Sequence, residues 1–406
     1  VARQSRAVLS VEEALASILA EIRVLSPVCV PVLEALDRVL AEEIAADRDI
    51  PPLTNSAMDG FAIRAAELQA AGPVRLAVVD EVPAGKRPDR AVSAGQAMRI
   101  MTGAPVPDGA DTVVRFEDTR SGPGWVEVLR PPRPGANVRH AGEDVRAGQV
   151  VLRPNKLLRP QEIGMLSALG CLQVAVHRRP RVAVLPTGDE VVPPTASPGP
   201  GQIRDANSYT LAALVLRYGG VPLVLDVARD EEALVRERLR RAAELETDLI
   251  LTSGGVSVGP YDLVKRALAS EGEMRFWSLN MKPGRPMAFG IVHGIPLLGL
   301  PGNPVAAMVS AELFARPALL KMQGFRNWDR ATVTARLRSA IERKDGRRHY
   351  LRVRLIETGG GLEAELTGDQ GSGILYSLVA ADGLAIIGEE HASLPRGSSV
   401  PVIPLH

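Results

Sequence analysis

The sequence predicts a multidomain α/β protein, and three features carry that expectation. After Pro180, apolar strand-like runs alternate with helical patterns, the rhythm of a mostly parallel sheet with helices on both faces. Between 51 and 150 the chain is rich in Pro and Gly and broken into short strand-like runs, which predicts a β-rich domain. From about 328 onward, short strands separated by turns predict a small β-barrel or sandwich.

Taken in order, Val11, Ala14, Leu15, Ile18, Leu19 and Ile22 form a helical stripe over 11–25, and a second helix is expected over about 33–44. The runs VRLAVVD, AMRIM, DTVVRF and WVEVL read as strands of the β-rich region. PQEIGMLSALG at 160–170 returns to helix, with Gly170 as its terminator. The alternation that follows is RVAVLPTGDE, SYTLAALVLRYGG, VPLVLDV, EEALVRERLRRAAEL, TDLILTSGG and YDLVKRALAS. Residues 286–311 hold no Asp, Glu, Lys or Arg and imitate a membrane span. Their glycines and prolines break the stretch into pieces too short to cross a bilayer, so two buried strands, a turn and a helix fit it better. The last segment offers ATVTARL, HYLRVRLIET, GLEAEL, GLAIIG and SSVPVIPL as strands.

Composition excludes several functional classes. The 406 residues suit two to four domains, and 48 basic against 47 acidic residues leave a net charge of +1. That balance predicts neither a nucleic-acid nor a polybasic membrane partner. Cys29 and Cys171 stand far apart with no CxxC, and the six histidines show no paired spacing, so two reduced thiols are expected and zinc chemistry is not. The amino terminus lacks a sustained apolar signal core, and the chain reads as soluble, intracellular and cytoplasmic.

The most informative stretch is LTSGGVSVGPYDLVK at 251–265. A buried strand ends in Gly254, Gly255 and Gly259, and Pro260 sits where a first helical residue belongs. Free N–H groups at such a junction attract anions, phosphate above all. The same residues also fit a simple tight turn with Asp262 as a first-turn carboxylate. The turn does not stand alone. NSAMDG, TGAPVPDGADTVV, RHAGEDV, PTGDEVV, MKPGRP and GLPGNP are further Gly- or Pro-framed loops, each presenting charged or hydroxyl side chains.

In this order and spacing, NSAMDG, TGAPVP, GED, PTGDE, SGGVSVGPYD, KPGRP and LPGNP resemble the molybdopterin molybdenumtransferase family, MoeA in bacteria and the gephyrin E domain in eukaryotes. The resemblance spans essentially the whole chain. It implies an elongated helical and β domain assembled from 1–45 and 147–177, a β-rich domain inserted at 46–146, a molybdopterin-binding α/β domain at 178–327 and a β-barrel at 328–406. It also implies a homodimer whose active cleft is completed by the partner's inserted domain. The implied reaction joins molybdate to the dithiolene of adenylylated molybdopterin and releases AMP with the aid of Mg2+. Compatible protein partners are a molybdopterin adenylyltransferase and apo-molybdoenzymes.

The residue types suit that chemistry. Lys282 offers a point charge and Arg285 a fork of donors in a Pro/Gly-stiffened loop, while Arg347 and Ser372 match positions the family uses around molybdate. Glu190, Asp230 and Asp262 follow three successive strands and are the candidate metal carboxylates, although Asp189 could instead hold its loop and Asp230 could cap a helix. By resemblance, Thr102, Thr187, Gly188, Asp189, Asn207, Ser253, Gly254, Gly255, Ser257, Pro286 and Pro301 join the substrate-binding set. Asp59, Glu143 and Asp144 belong to the inserted domain, and Asp59 and Asp144 are expected to act catalytically with Glu190, Asp262 and Lys282 in a shared site. Two departures stand out: Ser278 lies where relatives often carry lysine, and Ala306 where they often carry serine. Two other functions are compatible with parts of the chain, an adenylyltransferase on the same α/β module and a non-catalytic gephyrin-like scaffold.

Overall fold

A computed structural model describes residues 8–69, 72–255, 263–343 and 345–405. The chain forms two compact units, the first comprising 1–30, 37–41 and 175–406, the second 31–36 and 42–174.

The first unit is built on a seven-stranded sheet in the order Val8–Leu9, Gly272–Leu279, Pro286–Val292, Ile295–Leu300, Leu249–Ser253, Arg181–Pro186, Val221–Val224. Arg181–Pro186 pairs in parallel with both Leu249–Ser253 and Val221–Val224, and Leu249–Ser253 pairs in parallel with Ile295–Leu300. The 286–300 hairpin is antiparallel because a two-residue turn at His293–Gly294 leaves no room for a crossover helix, and Gly272–Leu279 also pairs antiparallel with Pro286–Val292.

Side-chain alternation explains how both faces are buried. Val182, Val184, Leu249, Leu251, Leu298 and Leu300 join one core with Leu211, Leu214 and Val215 of helix Asn207–Arg217. Ala183, Leu185, Ile250 and Leu297 point the other way, onto Val235, Leu239 and Ala242 of helix Glu232–Glu244 and Ala267 and Leu268 of helix Leu263–Glu271. The uncharged stretch at 286–311 resolves into two strands, a turn and helix Pro304–Ser310, and no helix among the described residues is long and apolar enough to cross a membrane.

Helix Val11–Glu21 buries Val11, Ala14 and Ile18 in the first of these cores. Its start is fixed by a reciprocal capping box between Ser10 and Glu13. The helix expected over 33–44 does not form. A 3-10 turn at Val32–Ala35 ends where Asp37 takes φ +60°, and Leu40 then bridges to Val176 as extended chain. The apolar spacing of that segment serves irregular packing, so its helical period misleads.

The carboxy-terminal strands close on themselves as a five-stranded barrel. Arg348–Thr358, Gly361–Leu366, Val333–Leu337, Ser399–Pro404 and Gly383–Ile387 follow one another, and Gly383–Ile387 pairs again with Arg348–Thr358. Of the barrel and sandwich left open by the sequence, the barrel is the one formed. The second unit carries a six-stranded sheet, Thr112–Arg115, Gly60–Ile63, Gln96–Ile100, Val74–Val82, Trp125–Val128, Thr119–Gly122. Its strands again divide their side chains, Phe61 and Ile63 to one core, Ala62, Met98 and Ile100 to the other. Helix Pro160–Ala168 lies in the same unit, ended by Gly170 at φ +74°.

Candidate active site

A cleft of about 1320 Å3 opens in the first unit where the strands of the parallel set end. Thr187, Ser253 and Pro301 each follow or finish one of three adjacent strands, so their loops meet at one edge of the sheet. Thr187 donates from its hydroxyl to Ser253 O at 3.1 Å, and the Asn207 amide donates to both Ser253 Oγ and Gly302 O at 2.7 Å. One wall is therefore a cross-tied set of backbone and hydroxyl groups. Gly254 is required here: its φ is +94°, and a Cβ would lie 2.8 Å from Thr187 Oγ1.

The opposite wall is cationic. Strand Met281–Lys282 pairs in parallel with the barrel strand in the register Lys282↔His349, which sets the KPGRP loop beside Arg347. Lys282, Arg285 and Arg347 all line the cleft. Arg285 Nε donates to the buried Ser278 hydroxyl at 2.9 Å, which orients its guanidinium. Ser278 is therefore no open position awaiting a charge. It is 7% exposed, and a lysine there would crowd Arg285 with a like charge. Ala306 lies on the cleft wall and is buried, so that departure does remove a hydroxyl from the lining.

The barrel contributes the loop 369–373. Arg352, 1% exposed, donates to Gly371 O at 2.9 Å and to Ser377 Oγ at 3.0 Å, pinning the loop from beneath. Asn303 Nδ2 then donates to Ser372 Oγ at 2.9 Å, and Val305 N donates to Ser372 O at 3.1 Å.

The cleft thus brings together Thr187, Gly188, Glu190, Asn207, Asp230, Ser253, Gly254, Gly255, Lys282, Arg285, Pro286, Pro301, Arg347 and Ser372 from the predicted set. Asp189 does not line it; its carboxylate accepts the Asp230 N–H at 3.1 Å and holds the loop. Ser257 and Asp262 lie outside the described residues. Asp59, Thr102 and Asp144 belong to the second unit. There the antiparallel pairing Gly60↔Ile100 brings the chain after residue 100 back beside residue 59, and Asp59 accepts from Thr102 N at 2.6 Å and Thr102 Oγ1 at 2.7 Å. Those two hydrogen bonds hold the Asp59 carboxyl below its usual range.

Sequence reasoning missed Asp345, His349, Arg352 and Asn303. Asp345 accepts from Arg347 Nη2 at 2.6 Å and from His349 Nε2 at 2.8 Å. Burial raises its carboxyl pKa, but the bonds from His349 and Arg347 outweigh that, and the net shift is downward. For His349, burial dominates and pushes the imidazole pKa down against the pull of Asp345. The signal lay in RKDGRRHYLR, where an acid and a histidine interrupt a basic run, but only the barrel register shows that they meet.

Fold and cleft together define a multidomain α/β protein whose cleft has one uncharged wall of backbone and hydroxyl groups and one cationic wall. Family models match as the MoeA N-terminal region (domain I and II) over 9–170, a probable molybdopterin binding domain over 183–321 and the MoeA C-terminal region (domain IV) over 334–405. The chain belongs to the MoeA family. It is 35% identical to the molybdopterin molybdenumtransferase of Haemophilus influenzae, over 92% of each chain. It is 37% identical to molybdopterin molybdenumtransferase 2 of Mycobacterium tuberculosis, over 94% of this chain and 95% of that one. A crystal structure of a molybdopterin biosynthesis MoeA protein from Pyrococcus horikoshii superposes with a TM-score of 0.85 at 32% identity, covering 98% of this chain and all of the other.

Proposed function

We propose that this protein is a molybdopterin molybdenumtransferase that ligates molybdate to the dithiolene of adenylylated molybdopterin and releases AMP. One observation carries the reading: a single cleft offers two chemically different anion-holding walls. Backbone and hydroxyl groups around Thr187, Ser253, Gly254 and Gly255 suit a phosphate held by donors without side-chain charge. Lys282, Arg285 and Arg347 with Ser372 suit a compact oxyanion. Relatives bearing the transferase name cover 92% and 94% of the chain, which favours this reading over an adenylyltransferase or a scaffold.

Glu190 and Asp230 line the same cleft beyond the phosphate wall, and Glu190 folds back over Gly188, where a Cβ would stand 2.6 Å from its Oε2. No cluster of three or more His, Cys, Asp or Glu exists among the described residues. Two carboxylates fit Mg2+, which takes few protein ligands and completes its shell with phosphate and water. When bound, Mg2+ neutralises charge on the adenylyl phosphate. The chain's own residues do the rest: the Gly254 turn fixes the phosphate, the cationic wall orients molybdate towards the dithiolene, and Glu190 and Asp230 would hold the cation. Asp59, Thr102 and Asp144 act from a second copy of the chain, which makes the working form a homodimer.

Reconstitution tests this function. With adenylylated molybdopterin, Mg2+ and molybdate, the protein should restore activity to an apo-molybdoenzyme. Incubation with molybdopterin and ATP that yields the adenylate instead would mark it as an adenylyltransferase.

A further inference from the structure

The cationic wall carries its own anion. Asp345, Gly346 and Arg347 form a tight return, with Gly346 at φ +62°, so that the Asp345 carboxylate meets the Arg347 guanidinium two residues on. Arg347 donates from Nε at 3.2 Å and Nη2 at 2.6 Å, both to Asp345 Oδ2. Lys282 Nζ stands 3.9 Å from the same oxygen. The other carboxylate oxygen accepts from His349 Nε2 at 2.8 Å, and that imidazole is 8% exposed. Arg343, another cation nearby among the described residues, is committed to the carbonyls of Arg347, Gly388 and His391. Asp345 is thus anchored on one side by a buried ring and turned on the other towards two cations of the cleft.

The Arg347 guanidinium offers two edges for bidentate capture of an anion, Nε with Nη2 and Nη1 with Nη2. Asp345 takes the first edge, and its charge offsets the attraction that draws a tetrahedral oxyanion to either one. We propose that Asp345 sets the oxyanion affinity of this site by competing with the ligand for Arg347 and, more weakly, for Lys282. The inference rests on the reading of this wall as an oxyanion site. Its consequence is a raised threshold: an anion must displace or share with a carboxylate held in place by His349. Weakly bound common anions therefore fail to occupy the wall, at the expense of affinity for molybdate itself.

The test is a double-mutant cycle on the full-length protein, with molybdate and sulfate as probes and calorimetry as the readout. Asp345→Asn should tighten both anions by about threefold or more, the scale of a partly exposed ion pair. Arg347→Ala should weaken both, and adding Asp345→Asn to Arg347→Ala should recover little. Asp345→Ala serves if the amide disturbs folding, with thermal melting as the check. A purely structural Asp345 would give weaker binding or none on substitution, which overturns the proposal. Equal tightening with and without Arg347 also overturns it, because competition for the fork would then play no part. If Arg347→Ala leaves molybdate binding unchanged, the reading of the wall fails first. If it weakens binding while Asp345→Asn does not tighten it, only the competition fails.

Discussion

At the residue scale the proposed site divides its work between neutral donors and fixed cations. Arg285 belongs to the second group, and its Nε bond to Ser278 leaves the two terminal nitrogens for a ligand. Arg285→Ala should raise the molybdate concentration for half-saturation about tenfold, the scale of a charged hydrogen bond, with pterin binding nearly unchanged. Arg285→Lys should recover only part of the loss, since lysine keeps the charge but not the planar fork. Equilibrium titration of each ligand separately checks both. Ser278→Lys, which charge counting alone would favour, should instead lower stability and weaken molybdate capture, because the position is buried behind Arg285. For the carboxylates, Glu190→Ala should leave thermal melting intact and slow AMP release by on the order of tenfold or more. An unchanged rate would remove Glu190 from the metal set.

At the scale of elements, the glycine turn and the helix caps make separate demands. Gly254→Ala forces a β-carbon into φ +94° and against Thr187, so it should cost roughly 1–3 kcal/mol of stability and impair pterin binding; urea unfolding and ligand titration report the two effects. Helix Pro160–Ala168 carries Glu162 in its first turn, which accepts from Arg159 N at 3.0 Å and Arg159 Nη2 at 2.7 Å and pairs with Lys156. The Arg159 bond, opposed by burial, holds the Glu162 pKa down at about 2. A depressed carboxylate stabilises the fold fully above its unfolded value near 4.5, and that contribution drains away as pH falls towards about 2. Glu162→Gln should therefore flatten the acid limb of the stability profile over that window. Much of this level was legible in the sequence. RVAVLP, LILTS and IPLLGL betray buried strands by unbroken apolar runs, and PTGDE and LPGNP betray the loops after them. The 33–44 segment was not legible, because Asp37 at a positive φ breaks a spacing that otherwise reads as helix. Nor was Asp345, whose partners His349 and Lys282 meet it only through barrel register and loop return.

At the scale of the whole molecule, one cleft in the first unit gathers most of the predicted residues, while Asp59, Thr102 and Asp144 sit in the second unit. In the proposed function those three complete the site of a partner copy. Light scattering should show a two-fold dimer at assay concentration, and a fully active monomer would remove the shared site. Mixing Asp59→Ala protein with Lys282→Ala protein should restore part of the activity each lacks alone, since heterodimers then contain one intact cleft. The most direct test of the central claim is AMP release from adenylylated molybdopterin, followed with and without molybdate in the wild type and in Arg347→Ala. Release should depend on molybdate in the wild type, and in Arg347→Ala that dependence should shift to higher molybdate with adenylate binding unchanged. Release that ignores molybdate in both proteins would contradict it.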